Sequence, residues 1–81
     1  MPYITAIRRK DFTYILSRIF NDCASGELNY LITKILLLQE PKTYEDFNRL
    51  IGVLEGVKFE LYRRAIVPYE NKKIEENGDV Y

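Results

Sequence analysis

Three places in this 81-residue chain set basic side chains close to a tyrosine. Arg8, Arg9 and Lys10 follow Tyr3, Arg63 and Arg64 follow Tyr62, and Lys72 and Lys73 follow Tyr69. Arginine and lysine bind phosphates through charge-assisted hydrogen bonds, and a phenol ring offers a face on which a base can stack. The chemistry these residues suggest is capture of a small planar anion. Arg63, Arg64, Tyr69, Lys72 and Lys73 are the candidate ligand set. A plainer reading stands beside it: Arg63 and Arg64 are ordinary charges for the last turns of a helix, and Glu70, Glu75 and Glu76 balance Lys72 and Lys73.

Catalytic chemistry finds fewer handles. With no histidine, Ser-His-Asp and Cys-His arrangements are excluded. Cys23 is the single cysteine, so neither an internal disulfide nor a cysteine-rich metal cluster can form. Glu45-Asp46 and Glu75-Glu76 read as a helix start and a solvated run rather than as an acid/base pair. Gly52 and Gly56 fall inside a helical pattern, so they make no phosphate-cradling loop. We therefore expect no enzyme, no cofactor and no metal.

Twelve basic and twelve acidic residues give a formal charge of zero, which disfavours duplex DNA as a partner. Residues 28–38 form the longest apolar stretch, but Asn29, Thr33 and Lys34 interrupt it and it is too short to span a bilayer. Residues 1–10 are short, mixed and basic toward their end, unlike a signal peptide. A soluble, cytoplasmic protein is expected.

The periodicity is helical throughout, and predicts an all-α fold of three helices near 11–22, 26–40 and 43–67. In the first, Phe12, Ile15, Leu16, Ile19 and Phe20 recur at three- and four-residue spacing. Asp11 is its expected N-cap, and Tyr3, Ile4 and Ile7 are expected to fold back onto a core. Ser25 caps the second, where Leu28, Leu31, Ile32, Ile35 and Leu36 face one way, while Tyr30, Leu37 and Leu38 widen the apolar surface. Pro41 ends it, and the short connection predicts an antiparallel hairpin of the second and third helices. The third opens on Thr43 with Asp46 three residues on, a shortened capping box, and carries Phe47, Leu50, Leu54, Val57 and Leu61. Pro68 is expected to stop it.

Gly52 and Gly56 lie on one face of that helix, where each costs roughly 1 kcal/mol against alanine. Either a second backbone approaches there or the glycines serve an internal contact. A chain this small is marginal alone, and with no disulfide or metal available a homo-oligomer is the expected support. Its candidate interface residues are Gly52, Gly56, Leu37, Leu38 and Tyr81. Residues 1–67 are expected to form one helical domain. Residues 68–81 are expected to be a polar tail, docked through Tyr69, Ile74, Val80 and Tyr81 on the domain or on a neighbour.

The strings Gly26-Glu27-Leu28-Asn29-Tyr30, Leu61-Tyr62-Arg63-Arg64, Pro68-Tyr69-Glu70, Lys72-Lys73-Ile74 and Asn77-Gly78-Asp79-Val80-Tyr81 resemble a family of short, functionally unassigned proteins of phages, prophages and bacteria. The resemblance covers about residues 26–81. It implies a phage-associated setting and a tail with a role, and it assigns no catalytic residue. Two functions follow as expectations. One is a non-catalytic oligomeric binder of a small anionic ligand, such as a nucleotide immune signal that it would sequester. The other is a protein–protein adaptor or inhibitor acting on a host or phage protein.

Overall fold

A computed structural model describes residues 3–81, apart from the side chains of Arg18 and Ile19. Among them the fold is all-α. Helix α1 is Ala6–Ile19, α2 is Ser25–Leu37 and α3 is Tyr44–Leu61; a π turn, Tyr62–Ile66, then leads directly into α4, Val67–Asn77. Three helical stretches are present, as the periodicity requires, and the third runs on past its expected end. The chain divides into two compact units, one ending at Gln39 and the other beginning at Glu40.

In the first unit α1 begins before Asp11, because Thr5 is its N-cap. The Thr5 hydroxyl accepts the Arg8 N–H at 3.3 Å, satisfying one of the orphan donors of the first turn. Arg8, Arg9 and Lys10 consequently sit in the first turns, where the helix dipole disfavours positive charge. Two contacts offset this. The Arg8 guanidinium lies 4.5 Å over the Phe12 ring, and Arg9 donates to the Ile4 carbonyl at 3.4 Å. Tyr3 and Ile7 do not fold back onto a core: both are exposed, Tyr3 to 92%. In the stripe Phe12, Ile15 and Leu16 are also exposed, whereas the Ile19 side chain lies outside the described residues.

The N-cap of α2 is Ala24 rather than Ser25. Alanine has no side-chain acceptor, so only the reverse half of a capping box forms, with the Ala24 N–H donating to Glu27 Oε1 at 2.8 Å. At the other end Glu40 adopts a φ of 53°, outside the right-handed helical region that the following Pro41 disfavours. The helix closes at Leu37, with Leu38 N–H still donating to the Lys34 carbonyl at 2.9 Å.

The start of α3 follows the reading of Thr43 and Asp46. Thr43 Oγ1 accepts the Asp46 N–H at 3.2 Å, and Asp46 Oδ2 accepts the Thr43 N–H at 3.1 Å and the Lys42 N–H at 2.9 Å. These backbone donors, Lys42 foremost, hold the Asp46 carboxyl below its ordinary value.

Pro68 does not end the helix. A proline lacks the N–H of an ordinary helical turn, and its ring crowds the carbonyl four residues earlier, here that of Arg64. The turn just before it widens instead, and Val67 N–H donates to the carbonyl of Tyr62, five residues back. Residues 68–77, expected as tail, are therefore helical. Gly78 ends α4 with a φ of 85°, its N–H donating to the Ile74 carbonyl at 2.8 Å, where the Asn77-Gly78 pair had signalled a turn.

Leu50, at 7% exposure, is the one buried side chain among the described residues.

Replacing Thr43 by alanine removes a side-chain cap, and should lower stability by about 1 kcal/mol in urea unfolding at fixed protein concentration. Because the Asp46 value is depressed in the folded chain, its contribution is fully present above the ordinary carboxylate value of 3.8 and is lost as pH falls through the depressed one. In an acid titration followed by NMR, the Lys42 and Thr43 amide signals should therefore stay fixed until below that ordinary value and then move together.

Candidate functional site

A concave part of the second unit is made where the chain turns back on α4. Tyr69, Lys73 and Asn77 follow one another at four-residue spacing, with Ile74 beside Lys73, so these side chains share one side of the helix. The positive φ of Gly78 redirects the backbone, a conformation that glycine adopts without a Cβ penalty. Asp79 Oδ1 then accepts the Tyr81 N–H at 3.1 Å, which holds the last residues in a local turn. The result is an open groove of about 530 Å³, with Tyr69, Lys73, Ile74, Val80 and Tyr81 among its walls.

Within it the Lys73 ammonium lies 5.7 Å from the centre of the Tyr69 ring and 3.5 Å from Glu76 Oε2. A cation held beside a phenol face suits a planar ligand bearing negative charge. Glu70 and Asp79 also line the groove, and their carboxylates oppose an anion. Taken alone, the groove carries one cation against two carboxylates, so an anion site here needs positive charge brought from elsewhere.

Arg63 and Arg64 are committed differently. Both reach back from the π turn to Glu60, with Arg63 Nη2 at 2.9 Å from Oε1 and Arg64 Nε at 3.4 Å from Oε2. The hydrogen bond from Arg63, more than anything from Arg64, holds the Glu60 carboxyl below its ordinary value. All three side chains are well exposed, so each pair contributes modestly and can exchange. Of the five candidate ligand residues, then, Tyr69 and Lys73 come together in the groove. Arg63 and Arg64 come together on Glu60, and Lys72 joins neither group.

The candidate interface residues are open. A Cβ built on Gly52 or on Gly56 would meet nothing within 4 Å. Leu37 and Leu38 are exposed, and Tyr81 is fully so. The part that Gly78 plays in shaping the groove was not foreseen, although the Asn77-Gly78 pair carried the signal for it. No cluster of acidic, cysteine or histidine side chains suited to a metal exists among the described residues. Nor, among the described residues, is any helix long and apolar enough to cross a membrane.

The fold and this groove define a small all-α protein with an open, mixed-charge surface site. The chain belongs to the family described as a domain of unknown function, DUF6899, which it matches over residues 1–80. No curated protein and no solved structure matches it.

Replacing Gly78 by alanine places a Cβ in the left-handed region and should cost about 1 kcal/mol or more locally. Amide hydrogen exchange would report this as faster exchange at residue 78, whose N–H closes α4, with unchanged protection in the middle of α3.

Proposed function

We propose that this chain is a non-catalytic, self-assembling binding protein of the cytoplasm. It takes a small anionic ligand, most simply a nucleotide, at a site completed by a neighbouring copy. The observation that carries this reading is the lack of cover on the helices. Leu50 alone is buried among the described residues, while apolar side chains on α1, α2 and α3 stay exposed. A chain of 81 residues with no internal disulfide needs additional burial, and a second copy is a partner available at every expression level. Gly52 and Gly56 support the same reading. Each costs roughly 1 kcal/mol of helix propensity, and no group lies within 4 Å of the space their missing side chains leave.

For the ligand, the support is Lys73 beside Tyr69 in a groove that Tyr81 also lines. Lys72, Arg63 and Arg64 of a neighbour are the cations that would outweigh Glu70 and Asp79. In the phage setting suggested by the C-terminal string, such a protein would sequester a host immune signal. The exposed Leu37 and Leu38 favour a second reading, in which the chain is an adaptor or inhibitor that lays an apolar face on a host or phage protein.

Native mass spectrometry of gently purified protein separates these readings. Discrete oligomers carrying added mass, lost on replacing Lys73 or Tyr69 by alanine, are the expected result. Oligomers of bare polypeptide would turn the function toward the adaptor. In the same experiment, Gly52→Leu combined with Gly56→Leu should weaken the assembly about tenfold, while circular dichroism keeps or gains helix. An unchanged assembly would remove the glycine face from the interface.

A further inference from the structure

The π turn before Pro68 changes which sides of α3 and α4 line up. Each residue of an α-helix advances about 100° around the axis, so a turn holding one extra residue sets everything after it back by about 100°. On α3 the apolar stripe is Phe47, Leu50, Ile51, Leu54, Val57 and Leu61. Were residues 44–77 an unbroken α-helix, Tyr69, Lys73 and Asn77 would lie on average about 100° away from that stripe. The extra residue cancels the offset. The groove side of α4 and the apolar stripe of α3 become one face.

That face is large enough to matter. Phe47, Ile51, Val57, Leu61 and Tyr69 are each between 50% and 61% exposed. Side chains of this size present on the order of 100 Å² apiece in that state. About 500 Å² per copy, or about 1,000 Å² for a pair, reaches the threshold of a specific interface.

The charges on the same rod select the occupant. An antiparallel second copy centred near Phe59 brings Asp46, on one flank of the stripe, level with Lys72 on the matching flank. No like charges fall level in this pairing. A parallel copy in register would put every charge beside its own kind. Opposed levels favour the antiparallel pair and like levels oppose the parallel one.

We propose that residues 44–77 present one self-pairing face to an antiparallel second copy of this chain, and that Pro68, through the π turn, sets the register that makes the face continuous. The proposal rests on the self-assembly reading above. It adds a second contact, on the side of α3 opposite Gly52 and Gly56 and separate from the one that completes the groove, and the residue that aligns it.

The experiment compares three full-length chains by sedimentation over a dilution series, with circular dichroism on each. They are the wild type, Pro68→Ala, and Pro68→Ala with Ala65 deleted. Removing the proline removes the reason for the wide turn, so α4 should rotate out of line and the assembly should weaken about tenfold with helix content held or raised. Deleting Ala65 in that background takes out one residue of the turn, which restores the alignment through chain length alone. Assembly should then return to the wild-type range. An unchanged assembly in Pro68→Ala, or a failure of the deletion to restore it, would overturn the register proposal while leaving self-assembly intact. A wild type that is monomeric at every concentration would sink the self-assembly reading, and this proposal with it.

Discussion

An amphipathic helix is stable in water when its apolar side lies against something, because most of its stability comes from packing rather than from propensity. That constraint governs this chain. Its helices carry apolar side chains at three- and four-residue spacing, yet Leu50 alone among the described residues is buried. The local devices are well made by comparison. Thr5, Glu27 and the Thr43–Asp46 pair each satisfy backbone donors at a helix start. Caps of this kind contribute about 1 kcal/mol apiece, enough to define where a helix begins and too little to replace a core. The ends of the helices are thus specified within the chain, while their sides stay largely uncovered among the described residues.

How much of this is readable from residue order depends on how local each cause is. The capping box of α3 involves four consecutive residues and backbone donors only, so Thr43 and Asp46 announce it. The start of α1 is less legible, because Thr5 is followed by Arg8, Arg9 and Lys10, charges that the dipole disfavours at an N-terminus. What outweighs them is a ring contact with Phe12 and a bond to the Ile4 carbonyl, and neither is implied by composition. The all-α class and the three stretches follow from periodicity, which sums over many residues and tolerates such local surprises.

Pro68 shows where a sound rule stops short. A proline removes one donor and crowds one carbonyl, and the usual outcome is a helix end. Here the wider turn at Tyr62–Ile66 absorbs both effects, so α4 continues to Asn77. The candidate site suffers the same kind of illegibility. Tyr69 and Lys73 could be picked out as chemistry, but the groove exists only because Gly78 turns the backbone and Asp79 holds the last residues back. Arg63 and Arg64 could be picked out too, and spacing gave no warning that a single carboxylate, Glu60, occupies both.

That shared carboxylate has a consequence for how an anion would arrive. A bare pair of guanidinium groups projects a field that draws anions in and sheds loosely held counter-ions when they dock, which makes both the rate and the affinity steeply sensitive to salt. With Glu60 between them, the two arginines are already partly neutralised, and an incoming phosphate trades places with a tethered rival. Anion binding at the π turn would therefore be an exchange reaction, weakly steered from a distance. It would favour ligands that offer a better geometric fit to two guanidinium groups than one carboxylate does.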